Sequence, residues 1–466
     1  MTTTEPTGPP KALPQRLGLF DATTIVSGSM IGSGIFIVSA EAARVLPSAL
    51  GLLLVWLFTG VVTVAGAWSY GKLASAFPSA GGQYVYLREA WGDAGGFLYG
   101  WAILLVIQTG TIAAVAVAFA KYLGVLLPWV SPVPWVKLAF LRFSPVEAVG
   151  LGVIALLTWW NTTSVRNGAV VQNVFTVAKV LSLAGLIGAG ILLGARLGLP
   201  SFQWGLDPSM SLGAPLFWAF AAATVQPLFS ADAWNNVTFL SEEVKQPERN
   251  VPRALLGGTA LVCMLYLLTN VGYLNVLSVG EIAGAPQDRV ATAAIGAIAP
   301  GGIAPKLMAA VILVSTFGCL NGLILAGSRV LFALSRDGLF FAGLGKVSGA
   351  TQIPVAALVV QGVWAGVLAL SGRYGDLLDF LMIAVLGFYI ATILGRFRLA
   401  RRIPSLAPSG LADRLVPAAY IALVLYVCVA QILVKPAYPI WSLAIVATGI
   451  PAYYAFHGRG RRPGKA

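Results

Sequence analysis

Gly28-Ser-Met-Ile-Gly-Ser-Gly-Ile-Phe36 interrupts the first apolar stretch of the chain, and a regular helix is hard to sustain through it. Three glycines and two serines in nine residues free the backbone to unwind where a membrane helix would otherwise continue. At membrane depth, unpaired N–H and C=O groups persist only where protein or a water-filled cavity satisfies them. A half-helix that begins at such a break aims free N–H groups and a positive dipole end at the cavity, which suits a carboxylate. The stretch therefore predicts a discontinuous first membrane helix with a binding site at its break.

Composition supplies the membrane. Of 466 residues, 58% are hydrophobic and only 10% charged, against about 25% charged in an ordinary soluble domain. Runs such as Leu52–Ala67, Ala102–Ala120 and Leu307–Leu334 have membrane-helix density. Together with the Pro- and Gly-interrupted segments they predict twelve spans. These lie near residues 20–45, 49–76, 95–127, 145–161, 167–194, 215–242, 254–278, 306–335, 353–371, 375–398, 414–434 and 438–456.

The formal net charge of +13 would fit a nucleic-acid partner if the basic residues formed a patch. They follow topology instead. With a cytoplasmic N-terminus, 20 of the 30 Lys and Arg residues fall inside and 8 outside, which is the positive-inside bias. No nucleic-acid partner is implied, the bilayer is, and both termini are placed in the cytoplasm of a cell whose plasma (inner) membrane holds the protein. Residues 1–15, rich in Thr and Pro, read as a disordered tail, and 457–466 as a basic tail. Cys263, Cys319 and Cys428 all lie in apolar spans and read as small buried hydrophobes. With no cysteine in an external loop, a disulfide-linked heavy subunit is not expected. The one histidine, His457, adjoins the basic tail, and no metal-ligand spacing occurs, so no metal, cofactor or catalytic constellation is expected.

A second interruption, Gln226-Pro-Leu-Phe-Ser-Ala-Asp-Ala-Trp-Asn-Asn236, breaks the sixth span with a proline, an acid and two amides. Residues 17–194 and 215–402 each supply five spans, and each block has its break in its first span. An odd number of spans per block inverts the second block relative to the first. Paired broken helices at matching positions of two halves point to a midplane site in a secondary transporter. The expected fold is thus an all-α integral membrane domain over residues 16–456. It has about twelve helices in a 5+5 inverted repeat, with helices 1 and 6 discontinuous and two further helices over 414–456.

These residues, with Ser241-Glu-Glu-Val-Lys-Gln-Pro-Glu-Arg-Asn-Val-Pro-Arg253, Leu268-Thr-Asn-Val-Gly-Tyr-Leu-Asn-Val-Leu-Ser278, Gly327-Ser-Arg-Val-Leu-Phe332 and Ser335-Arg-Asp-Gly338, amount to a family pattern. The chain resembles the amino acid–polyamine–organocation superfamily, and within it the prokaryotic members of the L-type amino acid transporter (LAT) family, whose core is the LeuT-like fold. The resemblance implies that the amides of Ser33 and Gly34 hold a substrate carboxylate, with Gly32 giving clearance. The carbonyls of Met30 and Ile31, with those of Phe229, Ser230 and Asp232, would take the ammonium group. Phe229 matches an aromatic gate over bound substrate. Trp234, Asn235, Gly110 and Thr111 are placed with the gate and pocket, although small or aromatic residues there serve packing equally well. Gly28 and Gly32 alone would read as a Gly-x-x-x-Gly packing motif, and the second break argues against that reading.

Three charged groups stand apart. Asp232 lies within the second break at membrane depth, where an acid is functional or caps freed amides. Lys179 lies 13 residues past Arg166, about 20 Å along the fifth span, too deep to snorkel. It is expected to face the bundle and contact carbonyls near the first break. The resemblance gives it the place of the cation in sodium-coupled relatives. Glu242 and Glu243, ending the sixth span, and Arg329 in the eighth are expected at an inner gate. The function expected is alternating-access transport of L-amino acids, chiefly neutral, by sodium-independent exchange. A proton-coupled amino acid or polyamine symporter is the alternative, and a membrane-embedded enzyme the alternative of another class.

Overall fold

The computed structural model describes residues 15, 17–79, 81–138, 141–163, 168–194, 214–348, 353–371 and 374–457. The tails expected at 1–15 and 457–466 lie outside these residues except for Gln15 and His457, and so does Arg166, from which the depth of Lys179 was counted.

The first span is broken as its glycines demand. Helix α1 (Leu19–Met30) stops at Ile31, a 3-10 turn occupies Gly34–Phe36, and α2 (Val38–Val45) resumes the course. A long apolar helix, α3 (Ala49–Ala76), returns across the membrane, capped at its start by the Ser48 side chain on the Gly51 amide. A short helix α4 (Gln83–Trp91) follows. Then α5 (Asp93–Ala102) and α6 (Gln108–Leu126) form the third span, joined through a π turn at Ile103–Ile107. The fourth and fifth spans are α7 (Pro145–Thr163) and α8 (Gly168–Gly188), the latter prolonged by a π turn at Ala189–Leu193.

The sixth span repeats the device of the first. Helix α9 (Ala214–Ser230) carries Pro227 near its end, the chain unwinds over residues 231–235, and the four-residue α10 (Asn236–Phe239) runs into a 3-10 turn at Ser241–Glu243. Ala233 sits at φ 65°, a left-handed conformation that costs a non-glycine residue energy and marks the turning point. The remaining long helices are α11 (Pro247–Leu274), α14 (Ile303–Arg336), α15 (Val355–Ser371), α16 (Tyr374–Leu399) and α17 (Ala412–Val434), with short α12 (Val279–Ala283) and α13 (Val290–Ile298) between α11 and α14. The last span divides at Thr448 into α18 (Ala437–Ala447) and α19 (Gly449–His457), where Gly449 and Pro451 weaken the helix.

Among the described residues, eight helical stretches are long and apolar enough to cross a membrane. The other four expected spans are the two broken ones, α7 and the shorter α15. This is a multi-pass membrane domain of the LeuT-like kind. One departure from an all-α architecture is a hairpin, β1 (Val136–Leu138) against β2 (Leu141–Phe143), with Val136 opposite Phe143. Pro132 and Pro134 bar helix there, and the β-branched and aromatic residues that follow favour paired strands.

The hairpin marks one face of the molecule. The opposite, terminal face carries the start of α1, the end of α19, α4 and the end of α14. There the segment before α1 is tied to the link after α10: Leu17 N–H donates to Glu243 O (2.9 Å) and Lys245 N–H to Leu17 O (2.8 Å). Arg88 adds ion pairs to Asp93 (2.9 Å) and Asp337 (2.7 Å), fastening α4 to the end of α14. Helix α1 packs on α11 and α8, and α6 packs on α14. The two breaks therefore face each other inside the bundle.

Candidate binding site between the two broken helices

The breaks touch. A β-carbon added to Gly34 would stand 2.8 Å from Ser230 Cα, closer than real side chains approach, so glycine is required there. A β-carbon on Gly32 would meet Cys319 Sγ at 3.1 Å. Met30, Gly32, Ser33, Gly34, Phe229, Ser230, Asp232 and Thr111 line one small cavity. Its volume is about 20 Å³, room for about one water molecule, so a larger ligand must part the walls. The Ser230 hydroxyl is buried there with no hydrogen-bond partner among the described residues.

Protein donors hold the carbonyls that α1 leaves open at its end. Lys179 Nζ donates to Gly28 O (3.0 Å) and Ser315 Oγ reaches Ile31 O (3.5 Å). Tyr266 Oη stands 2.8 Å from Met30 O and 3.2 Å from Ser230 O, so a single phenol proton is shared between the carbonyl ends of both broken helices. On the other side of the break, Tyr273 donates to Ile35 O (3.2 Å) and Tyr122 to Phe36 O (2.8 Å). Lys179 is 3% exposed, and no carboxylate among the described residues lies within ion-pairing distance of it.

Asp232 is held from the other side, by α16. Its carboxylate accepts from the Tyr389 hydroxyl of α16, and its amide donates to Phe229 O (3.0 Å). Asp232 and Thr111 also border a second cavity with Gln83, Tyr99, Asn235 and Tyr389. There Asn235 Nδ2 and the Tyr99 hydroxyl both donate to Gln83 Oε1, each at 3.0 Å. Trp234 lies outside both linings, packed among Tyr70 (ring centroids 4.8 Å) and Tyr389 (5.2 Å). Gly110 packs against Leu381. Glu242 and Glu243 are not brought into ion-pairing distance of Arg329, whose guanidinium donates to Leu325 O of its own helix (3.2 Å).

Toward the hairpin face a vestibule of about 580 Å³ opens. Asp288 bridges Arg44 (2.8 Å) and Lys121 (3.2 Å), and Lys435 bridges Glu41 (2.9 Å) and Asp379 (3.0 Å). Burial opposes ionisation of Asp288, but Lys121 and Arg44 outweigh it and hold the carboxyl below the usual carboxylate range. Burial likewise opposes the charge on Lys435, and Asp379 and Glu41 outweigh it, raising the ammonium above the usual lysine value. Between vestibule and cavity stand Phe229 and Tyr374, the latter 3.2 Å from Ser33 Oγ through its hydroxyl.

Sequence reading did not find Tyr266, Tyr374, Tyr389 or Gln83. Tyrosines inside apolar spans read as packing. Their signal was the polar end that a buried phenol has to satisfy.

Comparison with known proteins identifies the family. Residues 17–456 match the amino acid permease family. The chain is 30% identical to the human Asc-type amino acid transporter 1, over 95% of this chain and 82% of that protein. It is 31% identical to the human large neutral amino acids transporter small subunit 2, over 95% and 80%. It is 28% identical to the human b(0,+)-type amino acid transporter 1, over 96% and 88%. A match along nearly the whole helical domain, with paired breaks enclosing a polar cavity, leaves one assignment: the chain belongs to the amino acid permease family and is a membrane transporter, not an enzyme.

Proposed function

We propose that this transporter carries L-α-amino acids, chiefly neutral ones, by alternating access and as a sodium-independent exchanger. The observation that carries the reading is the meeting of the two breaks, with Gly34 against Ser230 and the carbonyls of Met30 and Ser230 sharing the Tyr266 proton. A zwitterion needs a helix start for its carboxylate and helix ends for its ammonium, and this junction offers both. In this reading the amides of Ser33 and Gly34 take the carboxylate, while Gly32 leaves clearance. The carbonyls of Met30, Ile31, Phe229, Ser230 and Asp232 take the ammonium. Phe229 closes the pocket, and Gly110, Thr111, Trp234 and Asn235 bound the side chain.

Lys179 supplies a fixed positive charge where a sodium ion would otherwise brace the break. Its pairing with a carbonyl alone also supports the second reading, in which the ammonium titrates and couples protons. Glu242, Glu243 and Arg329 meet only in another conformation of the cycle. The terminal face is cytoplasmic and the membrane is the plasma (inner) membrane, in keeping with the basic residues around α4 and α16. The repeats run over 17–194 and 215–402, with 414–456 added. The three cysteines are free and buried, which supports an arrangement without a disulfide-linked heavy subunit.

Uptake of labelled amino acid into proteoliposomes, with and without unlabelled amino acid inside, tests this. Internal substrate should accelerate uptake, and free amino acids should compete far better than their amides or esters. Equal competition by amides would overturn the reading.

A further inference from the structure

Tyr374, the first residue of α16, borders two spaces at once. Its ring lines the vestibule on the hairpin face, while its hydroxyl reaches into the first break, 3.2 Å from Ser33 Oγ. The residue is 1% exposed, so the phenol forms part of the wall between the two spaces. Phe229 meets it edge-on at 6.4 Å between centroids, and Lys121 Nζ stands 5.7 Å from the ring centre.

We propose that Tyr374 is a substrate ligand. Its hydroxyl turns from Ser33 Oγ to the amino acid's carboxylate and serves as a third donor beside the amides of Ser33 and Gly34. This rests on the transport reading above and extends it. The hydroxyl pair is long for an O–H···O bond, whose usual length is about 2.7–2.8 Å. A carboxylate is the stronger acceptor, and a charge-assisted bond is roughly twice as strong as the neutral one it replaces. The same contact joins α16 to the break when substrate is present, so Tyr374 and Phe229 close as two leaves of one lid only over a ligand with a carboxylate.

The test uses the full chain in proteoliposomes, with labelled L-leucine as substrate and unlabelled L-leucine and L-leucinamide as competitors. Wild type, Tyr374→Phe and Ser33→Ala are compared. Tyr374→Phe should raise the KM for L-leucine about tenfold with little change in kcat. It should also lower the preference for acid over amide by a similar factor. Ser33→Ala removes the resting partner but not the donor, and should lower that preference less. A preference measured within one variant does not depend on how much of that variant folds, so misfolding cannot mimic the result. If Tyr374→Phe keeps the wild-type preference, or Ser33→Ala changes it equally, the hydroxyl pair is only a brace and the proposal falls while the transport reading stands. If wild type itself fails to distinguish acid from amide, both fall.

Discussion

Lys179 Nζ lies 3.0 Å from the carbonyl oxygen of Gly28, so an ammonium from the fifth span closes the last turn of the first broken helix. A buried charge without a counterion is costly, and here carbonyl dipoles at a helix C-terminus offset part of that cost. In the sodium-independent reading, this ammonium supplies the positive charge beside the break. Replacing Na⁺ with choline should therefore change initial uptake rates by less than about twofold, whereas Lys179→Ala should lower them about 10–100-fold, the worth of a charged hydrogen bond. A strict Na⁺ requirement would overturn the assignment. A steep pH dependence that disappears in Lys179→Ala would favour the proton-coupled reading.

Gly34 has no room for a side chain. Any β-carbon there would lie 2.3 Å from Ser230 Oγ and 2.8 Å from its Cα, so even alanine must push the two breaks apart. Gly34→Ala should weaken binding at least about tenfold, and Gly34→Val should abolish it. Membrane insertion, judged by a monodisperse elution profile in detergent, should be retained because the helices themselves are untouched. Wild-type affinity in Gly34→Ala would mean that the close approach does not shape the site.

Asp288 and Lys435 set the pH range over which the hairpin-face network holds. The folded pKa of Asp288 is depressed, so its contribution is present above the ordinary carboxylate value of about 3.9 and is lost as pH falls through the lower folded value. Lys435 is raised, so its contribution is present below the ordinary lysine value of about 10.4 and is lost as pH climbs through the folded value. Asp288 and Lys435 should therefore both keep their charge from about pH 5 to pH 9, and pH-dependent uptake in that window should not arise from these two groups. Asp288→Asn leaves Lys121, whose side chain is 14% exposed, without its carboxylate. It should cost about 1–3 kcal/mol, seen as a lower melting temperature by similar amounts at pH 5 and pH 8. A variant that reshapes the uptake-versus-pH curve would contradict this.

The breaks were legible because glycine, serine and proline change what a backbone can do irrespective of tertiary context, and membrane depth leaves few uses for that freedom. Span positions were legible for the same local reason: α3 runs from Ala49 to Ala76, the limits that hydropathy gives. The polar partners of the breaks were not legible. Tyr389 is 157 residues from Asp232, Tyr266 is 236 from Met30 and Tyr374 is 341 from Ser33, and only the pair Tyr266 and Ser230 is nearer, at 36. Which helix face turns inward is decided by packing among a dozen helices that are apolar nearly all round, where periodicity carries little signal. The hairpin at Val136–Phe143 was missed because its strands are only three residues each.

Asp232 offers the sharpest test of substrate range. Its carboxylate accepts the Tyr389 hydroxyl and borders both cavities, the one between the breaks and the one lined by Gln83, Tyr99 and Asn235. A substrate whose α-groups sit at the breaks would extend its side chain past Thr111 toward this acid. An anionic carboxylate there favours a cationic side chain, while a neutral side chain gains nothing from the charge and leaves the Tyr389 bond in place. Asp232→Asn keeps the size and the acceptor oxygen for Tyr389 but removes the charge. Inhibition of labelled L-leucine uptake by L-lysine or L-arginine should therefore weaken about tenfold in the variant, whereas inhibition by L-alanine should change by less than about threefold. If cationic and neutral competitors keep their wild-type ratio, Asp232 acts only as a partner of Tyr389 and does not select the substrate's side chain.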